Sequence, residues 1–119
     1  MKTLNWNPLQ TTEQVDDLVL RSFSVPCLIF KHSIRCNISA IAKYRLEEDW
    51  SFMDEEIEPY YLDLVTYRNV SNHVAEIFSI HHESPQALLI HKGECLYDTS
   101  HLDITVEELK EALMTEISH

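Results

Sequence analysis

Three thiols are available for chemistry, Cys27, Cys36 and Cys95, and their neighbours set what each can do. Cys36 stands in Arg35-Cys-Asn-Ile-Ser39, between a short apolar run and a helical pattern. The helix should therefore begin at the cysteine. Unpaired amide N–H groups and the positive end of a helix dipole favour a thiolate there. Arg35, Lys31 and His32 add positive charge in a chain whose formal net charge is −11. Cysteines in such surroundings react as thiolates, the species that attacks disulfides. Ser39 lies one helical turn on, where a dithiol site would carry its second cysteine. Serine can hydrogen-bond the sulfur but cannot close a disulfide. The pattern permits attack and a mixed disulfide and leaves resolution to another thiol. On spacing alone, an inert cysteine at a helix start fits equally well.

The other candidates point elsewhere. Cys27 lies in an apolar run, where an inert core thiol is the usual reading. Cys95 should begin an edge strand, where a surface thiol is one reading and a resolving thiol a lesser one. An odd cysteine count without an export signal argues against a disulfide framework. The N-terminal stretch has no apolar core of a secretory signal, so a cytoplasmic location is the expectation. Seven histidines, among them His81, His82, His91 and His101, raise the question of a metal. No His-x3-His pair or cysteine pair at ligand spacing accompanies them, so no metal site is expected. The acidic balance makes nucleic acid and anionic membranes poor partners. No apolar run approaches the roughly 20 residues of a membrane helix.

The elements that must position Cys36 follow from periodicity. The length suits one domain over 1–119. Capping boxes at Thr11-Thr-Glu-Gln14 and Thr105-Val-Glu-Glu108 start the first and last helices. Val15, Leu18, Val19 and Phe23 line the first. A second stripe uses Ile38, Ile41, Ala42 and Leu46. A third uses Val70, Val74, Ile77 and Phe78, with Asn69 as its cap. The acidic stretch of residues 47–56 reads as solvated surface. Strands are expected at Cys27–Phe30, Tyr61–Val65 and Ala87–Ile90, with a hairpin at Gly93 leading back through Cys95–Tyr97. A weak strand falls near Thr3–Trp6. Continuous apolar strands alternating with helices make an α/β protein, a central mixed sheet flanked by helices.

Ser84-Pro85 directly precedes the third apolar strand. A Cys-x-x-Ser turn after one buried strand and a Ser-Pro before another form a two-part pattern in the order of thioredoxin-like folds. The longer stretches are more specific. Phe30-Lys-His-Ser-Ile-Arg-Cys-Asn-Ile-Ser39, Arg68-Asn-Val-Ser-Asn-His-Val-Ala-Glu76 and His82-Glu-Ser-Pro-Gln86 resemble the monothiol bacilliredoxin family over nearly the whole chain. The resemblance implies a thioredoxin-like fold and a thiol-disulfide oxidoreductase of the bacillithiol system. It implies Cys36 as nucleophile, to which the residues themselves add Arg35 as a charge beside the thiolate and Ser39 as a hydrogen-bond partner of the sulfur. It also implies a cis-proline loop at Ser84 and Pro85 that holds substrate, with Asn37 and His32 nearby. Bacillithiol would be a co-substrate, with no cofactor. Bacillithiol-modified proteins and a reducing thiol would be the partners. The family's proline after the cysteine is Asn37 here. A non-catalytic binding or redox-sensing module, or a metal or cluster carrier through Cys36, are the alternatives.

Overall fold

The computed structural model describes residues 4–117. In chain order the elements are β1 (Asn7–Pro8), α1 (Thr12–Arg21), β2 (Cys27–His32), α2 (Asn37–Asp49), β3 (Glu58–Asp63), α3 (Arg68–Phe78), β4 (Gln86–His91), β5 (Glu94–Ser100) and α4 (Val106–Glu116). A single 3-10 turn, His101–Asp103, separates β5 from α4. The strands form one mixed sheet in the order β1-β3-β2-β4-β5. β2 lies at its centre, parallel to β3 and antiparallel to β4.

All six residues of β2 are buried, because helices cover both faces of the sheet. Side chains alternate along a strand, so the pleat divides them between two cores. Leu28 and Phe30 join Ala87 and Leu89 of β4 beneath Ala42 and Leu46 of α2 and Leu109 and Leu113 of α4. Cys27 and Ile29 join Leu62, Leu88 and Ile90 against Val15 and Leu18 of α1 and Val70 and Val74 of α3. The Thr11 capping box is complete: its hydroxyl accepts from the Gln14 N–H and the Gln14 side chain accepts from the Thr11 N–H. Thr105 accepts from the Glu108 N–H at the start of α4. Lys92 and Gly93 both have positive φ, 52° and 79°, which is what a tight two-residue hairpin requires.

Four expectations are corrected. The strand expected at Tyr61–Val65 runs from Glu58 to Asp63. Its end is set by the Asp63 carboxylate, which accepts from the N–H groups of Val65 and Thr66 and turns the chain. The strand expected near Thr3–Trp6 is instead the pair Asn7–Pro8 beside β3; Thr3 itself lies outside the described residues. Asn69 lies inside α3, whose N-cap is Tyr67. The stripe of α2 is also rotated from its expected position. Ser39, Ala42 and Leu46 face the sheet, while Ile38 and Ile41 are exposed. The spacing of 3 and 4 residues is still helical, but a serine takes the place of an isoleucine because it has partners below. Leu46→Ala should therefore cost about 2–5 kcal/mol. Ile41→Ser should change stability by less than about 0.5 kcal/mol. Urea denaturation of the two variants checks this register.

Candidate functional site

β2 ends at His32, and the chain turns through Ser33 to Cys36 before α2 begins. The Cys36 N–H donates to the Ser33 carbonyl at 3.2 Å, and the Cys36 carbonyl accepts from the Ala40 N–H at 3.1 Å. Cys36 is thus the N-cap of α2, with extended backbone and no capping bond from its side chain. The residue is half-buried, and the flanking Arg35 and Asn37 are exposed. The turn is tightened by the Arg35 N–H, which donates to Ser33 Oγ at 3.3 Å.

The Ser84–Pro85 peptide bond is cis. Gln86, the next residue, pairs with Lys31 in the antiparallel register of β2 and β4. The proline loop therefore enters the sheet at the edge from which the Cys36 turn leaves. Pro85 is buried, Ser84 is half-buried, and the Pro85 carbonyl accepts from the His101 N–H at 3.0 Å.

Two sequence readings change here. Ser39 is fully buried, and its hydroxyl accepts from the Ser33 N–H at 3.0 Å and lies 2.6 Å from His32 Nδ1. It is held from the sheet side, rather than by the Cys36 sulfur. His32, expected to touch substrate, is only 5% exposed and packs between the rings of Phe30 and Tyr61 under α2. Burial first, then the nearby Lys43 ammonium, pushes its pKa below the ordinary imidazole value, and Asp63 opposes them.

Lys31 does not stand beside Cys36. The pleat turns it to the α1–α3 face, away from α2. It is fully buried, donating to the Ser71 carbonyl at 3.2 Å and lying 3.4 Å from His82 Nδ1. Burial pushes its pKa down to about 8. The cluster of Lys31, Ser71 and His82 went unrecognised as a unit in the sequence. Its only signal there is that all three residues fall in the stretches that carry the family resemblance.

The other thiols are set apart by their surroundings. Burial pushes the Cys27 thiol up to about 12 and the Cys95 thiol up to about 11. Cys95 is half-buried against the α1–α3 core rather than a surface thiol. Among the described residues, no group of three or more His, Cys, Asp or Glu side chains is arranged to hold a metal ion. Nor is any helix among them long and apolar enough to cross a membrane.

The profile of one protein family, the monothiol bacilliredoxin BrxC, matches residues 7–109. The chain belongs to the monothiol bacilliredoxin family. Solved structures agree on the fold. A putative oxidoreductase with a thioredoxin fold is 28% identical, with a TM-score of 0.76 over 88% of this chain and 90% of that one. Thioredoxin from Trypanosoma brucei brucei is 10% identical, with a TM-score of 0.77 over 99% and 96%. The fold is thioredoxin-like, and family and fold together give this bacilliredoxin relative a thiol redox role.

Ser39→Ala should cost about 1–3 kcal/mol, because it strips the buried Ser33 N–H and His32 Nδ1 of a shared partner. Chemical denaturation reads this directly. Lys31→Met should do the opposite near neutral pH, stabilising by about 2 kcal/mol, since a buried ammonium without a carboxylate is costly. The folded pKa lies below the unfolded value of about 10.4. Between about pH 8 and 10 the unfolded wild type therefore binds more protons, and the wild-type cost is relieved as pH rises. The stability gap between Lys31→Met and wild type should narrow across that window. Paired unfolding curves at pH 7 and pH 9.5 test the sign.

Proposed function

We propose that this protein removes bacillithiol from mixed disulfides on protein cysteines, with Cys36 as the nucleophile. The supporting observation is a single half-exposed thiol at a helix N-cap, at the same sheet edge as a cis-proline loop, with a buried serine in the resolving position. The Cys36 thiolate attacks the bacillithiol sulfur of the mixed disulfide. The new S–S bond joins Cys36 to bacillithiol as the old one breaks, and the protein cysteine leaves as a thiolate that takes a proton from solvent. A second thiolate, of bacillithiol or another reductant, then attacks the bacillithiol sulfur of the Cys36 adduct. It departs as a disulfide with the first bacillithiol, and the Cys36 thiolate is regenerated.

Each surrounding residue has a part in this reading. Cys36 opens α2 as its N-cap, and the exposed Arg35 precedes it. Asn37 keeps a backbone N–H that the family's proline lacks, adding a donor beside the sulfur. Ser39 cannot form a disulfide, so the adduct persists until an external thiol arrives. Ser84 and Pro85 supply backbone for an extended substrate segment. Ile34 and Ile38, 71% and 40% exposed, flank the cysteine and offer apolar surface to a protein substrate.

Incubation with bacillithiol disulfide followed by intact mass should show one adduct on the wild type. The same adduct should form on Cys27→Ser and Cys95→Ser and be absent from Cys36→Ser. An adduct that survives in Cys36→Ser would place the reactive thiol elsewhere and overturn the assignment.

A further inference from the structure

Among the described residues Lys31 is the one fully buried lysine, and the exchange chemistry gives it no task. It sits at the end of the central strand on the face opposite α2, so it cannot serve Cys36 directly. Among the described residues no carboxylate forms an ion pair with it. Its Nζ donates to the main-chain carbonyl of Ser71 and lies against His82 Nδ1. Gln86, its cross-strand neighbour on the same face, is 1% exposed; its Nε2 donates to the His81 carbonyl, and its Oε1 is buried without a protein partner. A polar nest of this kind at the end of an apolar layer is costly to keep.

The hydrogen-bond inventory decides what Lys31 does to His82. A lysine ammonium has three donors and no acceptor. Where it meets His82 Nδ1, that nitrogen must be the acceptor. The remaining ring proton of a neutral imidazole then belongs to Nε2. His82 Nδ1 also lies 3.5 Å from the Ser71 hydroxyl, which is free to donate once Lys31 makes Nδ1 an acceptor. Protonating Nδ1 would set N–H against the Lys31 ammonium. Burial, followed by the charges of Lys31 and Arg68, does lower the His82 pKa, with Glu83 opposing and His81 adding to the depression. His82 is half-buried and stands two residues before Ser84 at the cis-proline loop.

We propose that Lys31 is a positioning residue that locks His82 as a neutral Nε2–H donor at the rim of the substrate site, where that N–H binds a carbonyl or carboxylate oxygen of the substrate. This rests on the cis-proline loop being the substrate side, as in the function proposed above. Lys31 itself never touches substrate; its effect passes through His82. The reaction at sulfur is untouched, so the contribution falls on binding.

Nitrogen-15 NMR of the histidine rings in the wild type is the first test, and it needs no substrate. His82 should show the Nε2–H tautomer, neutral at pH 7. An Nδ1–H tautomer or an imidazolium at that pH overturns the proposal, whatever the exchange activity. The second test measures turnover of a bacillithiol-capped protein by Lys31→Met, His82→Ala and the double variant. Lys31→Met should raise KM about tenfold with kcat nearly unchanged, the size of one lost hydrogen bond. In the His82→Ala background the same substitution should do nothing further. Additive losses in the double variant, or a fall in kcat alone, refute action through His82. Alkylation of Cys36 by iodoacetamide should proceed at the wild-type rate in Lys31→Met. A slowed alkylation would show instead that Lys31 acts on the sulfur. Absence of any wild-type turnover, with the His82 tautomer as stated, would sink the bacillithiol reading and leave the locked tautomer standing.

Discussion

The burial of β2 on both faces is the constraint on which the rest depends. A strand covered by helices above and below has no solvent side for a polar residue. Yet β2 ends in Lys31 and His32, adjacent residues that the pleat sends to opposite faces. Each polar head must find partners inside its own layer or lose far more than it gains. His32 meets Ser39 of α2, and Lys31 meets Ser71 of α3 and His82 of the proline loop. The two halves of the site are thereby tied to one strand end.

This arrangement explains why α2 presents a serine to the sheet where an isoleucine seemed the natural choice. The turn from Ser33 to Cys36 needs a partner for the Ser33 N–H, and the His32 ring needs one for Nδ1. Ser39 Oγ serves both at once. Rotating the helix to bury Ile38 or Ile41 instead would leave two polar groups unpaired. The rotation leaves those isoleucines exposed near Cys36, together with Ile34. A polar requirement beneath the helix thus produces an apolar surface above it. Cys36, at the N-cap, stays half-exposed, while burial suppresses Cys27 and Cys95 as thiolates. Burial thus sets Cys27 and Cys95 apart, because a thiolate needs solvent or donors to carry its charge.

Local patterning was enough for much of the architecture. The Thr11-Gln14 box, the Gly93 hairpin and the apolar runs Cys27–Phe30 and Ala87–Ile90 each have a short-range cause, and the structure contains all of them. Cys36 at a strand-to-helix junction was legible for the same reason. Two misplacements are also local: Asp63 ends β3 by accepting from N–H groups two and three residues on, and Tyr67 rather than Asn69 begins α3.

What the chain's own order of residues determined is the chemistry on offer: one cysteine at a helix start, a serine three residues later and a proline before a buried strand. Tertiary structure alone decided which groups serve one another. Lys31 is 40 residues from Ser71 and 51 from His82 along the chain, separations invisible to any pattern of period 2 or 3.6. His32 is expected beside the substrate loop, within reach of solvent. It is internal because the pleat, the register with β4 and the packing of α2 leave it no other direction, and only the assembled sheet contains that information.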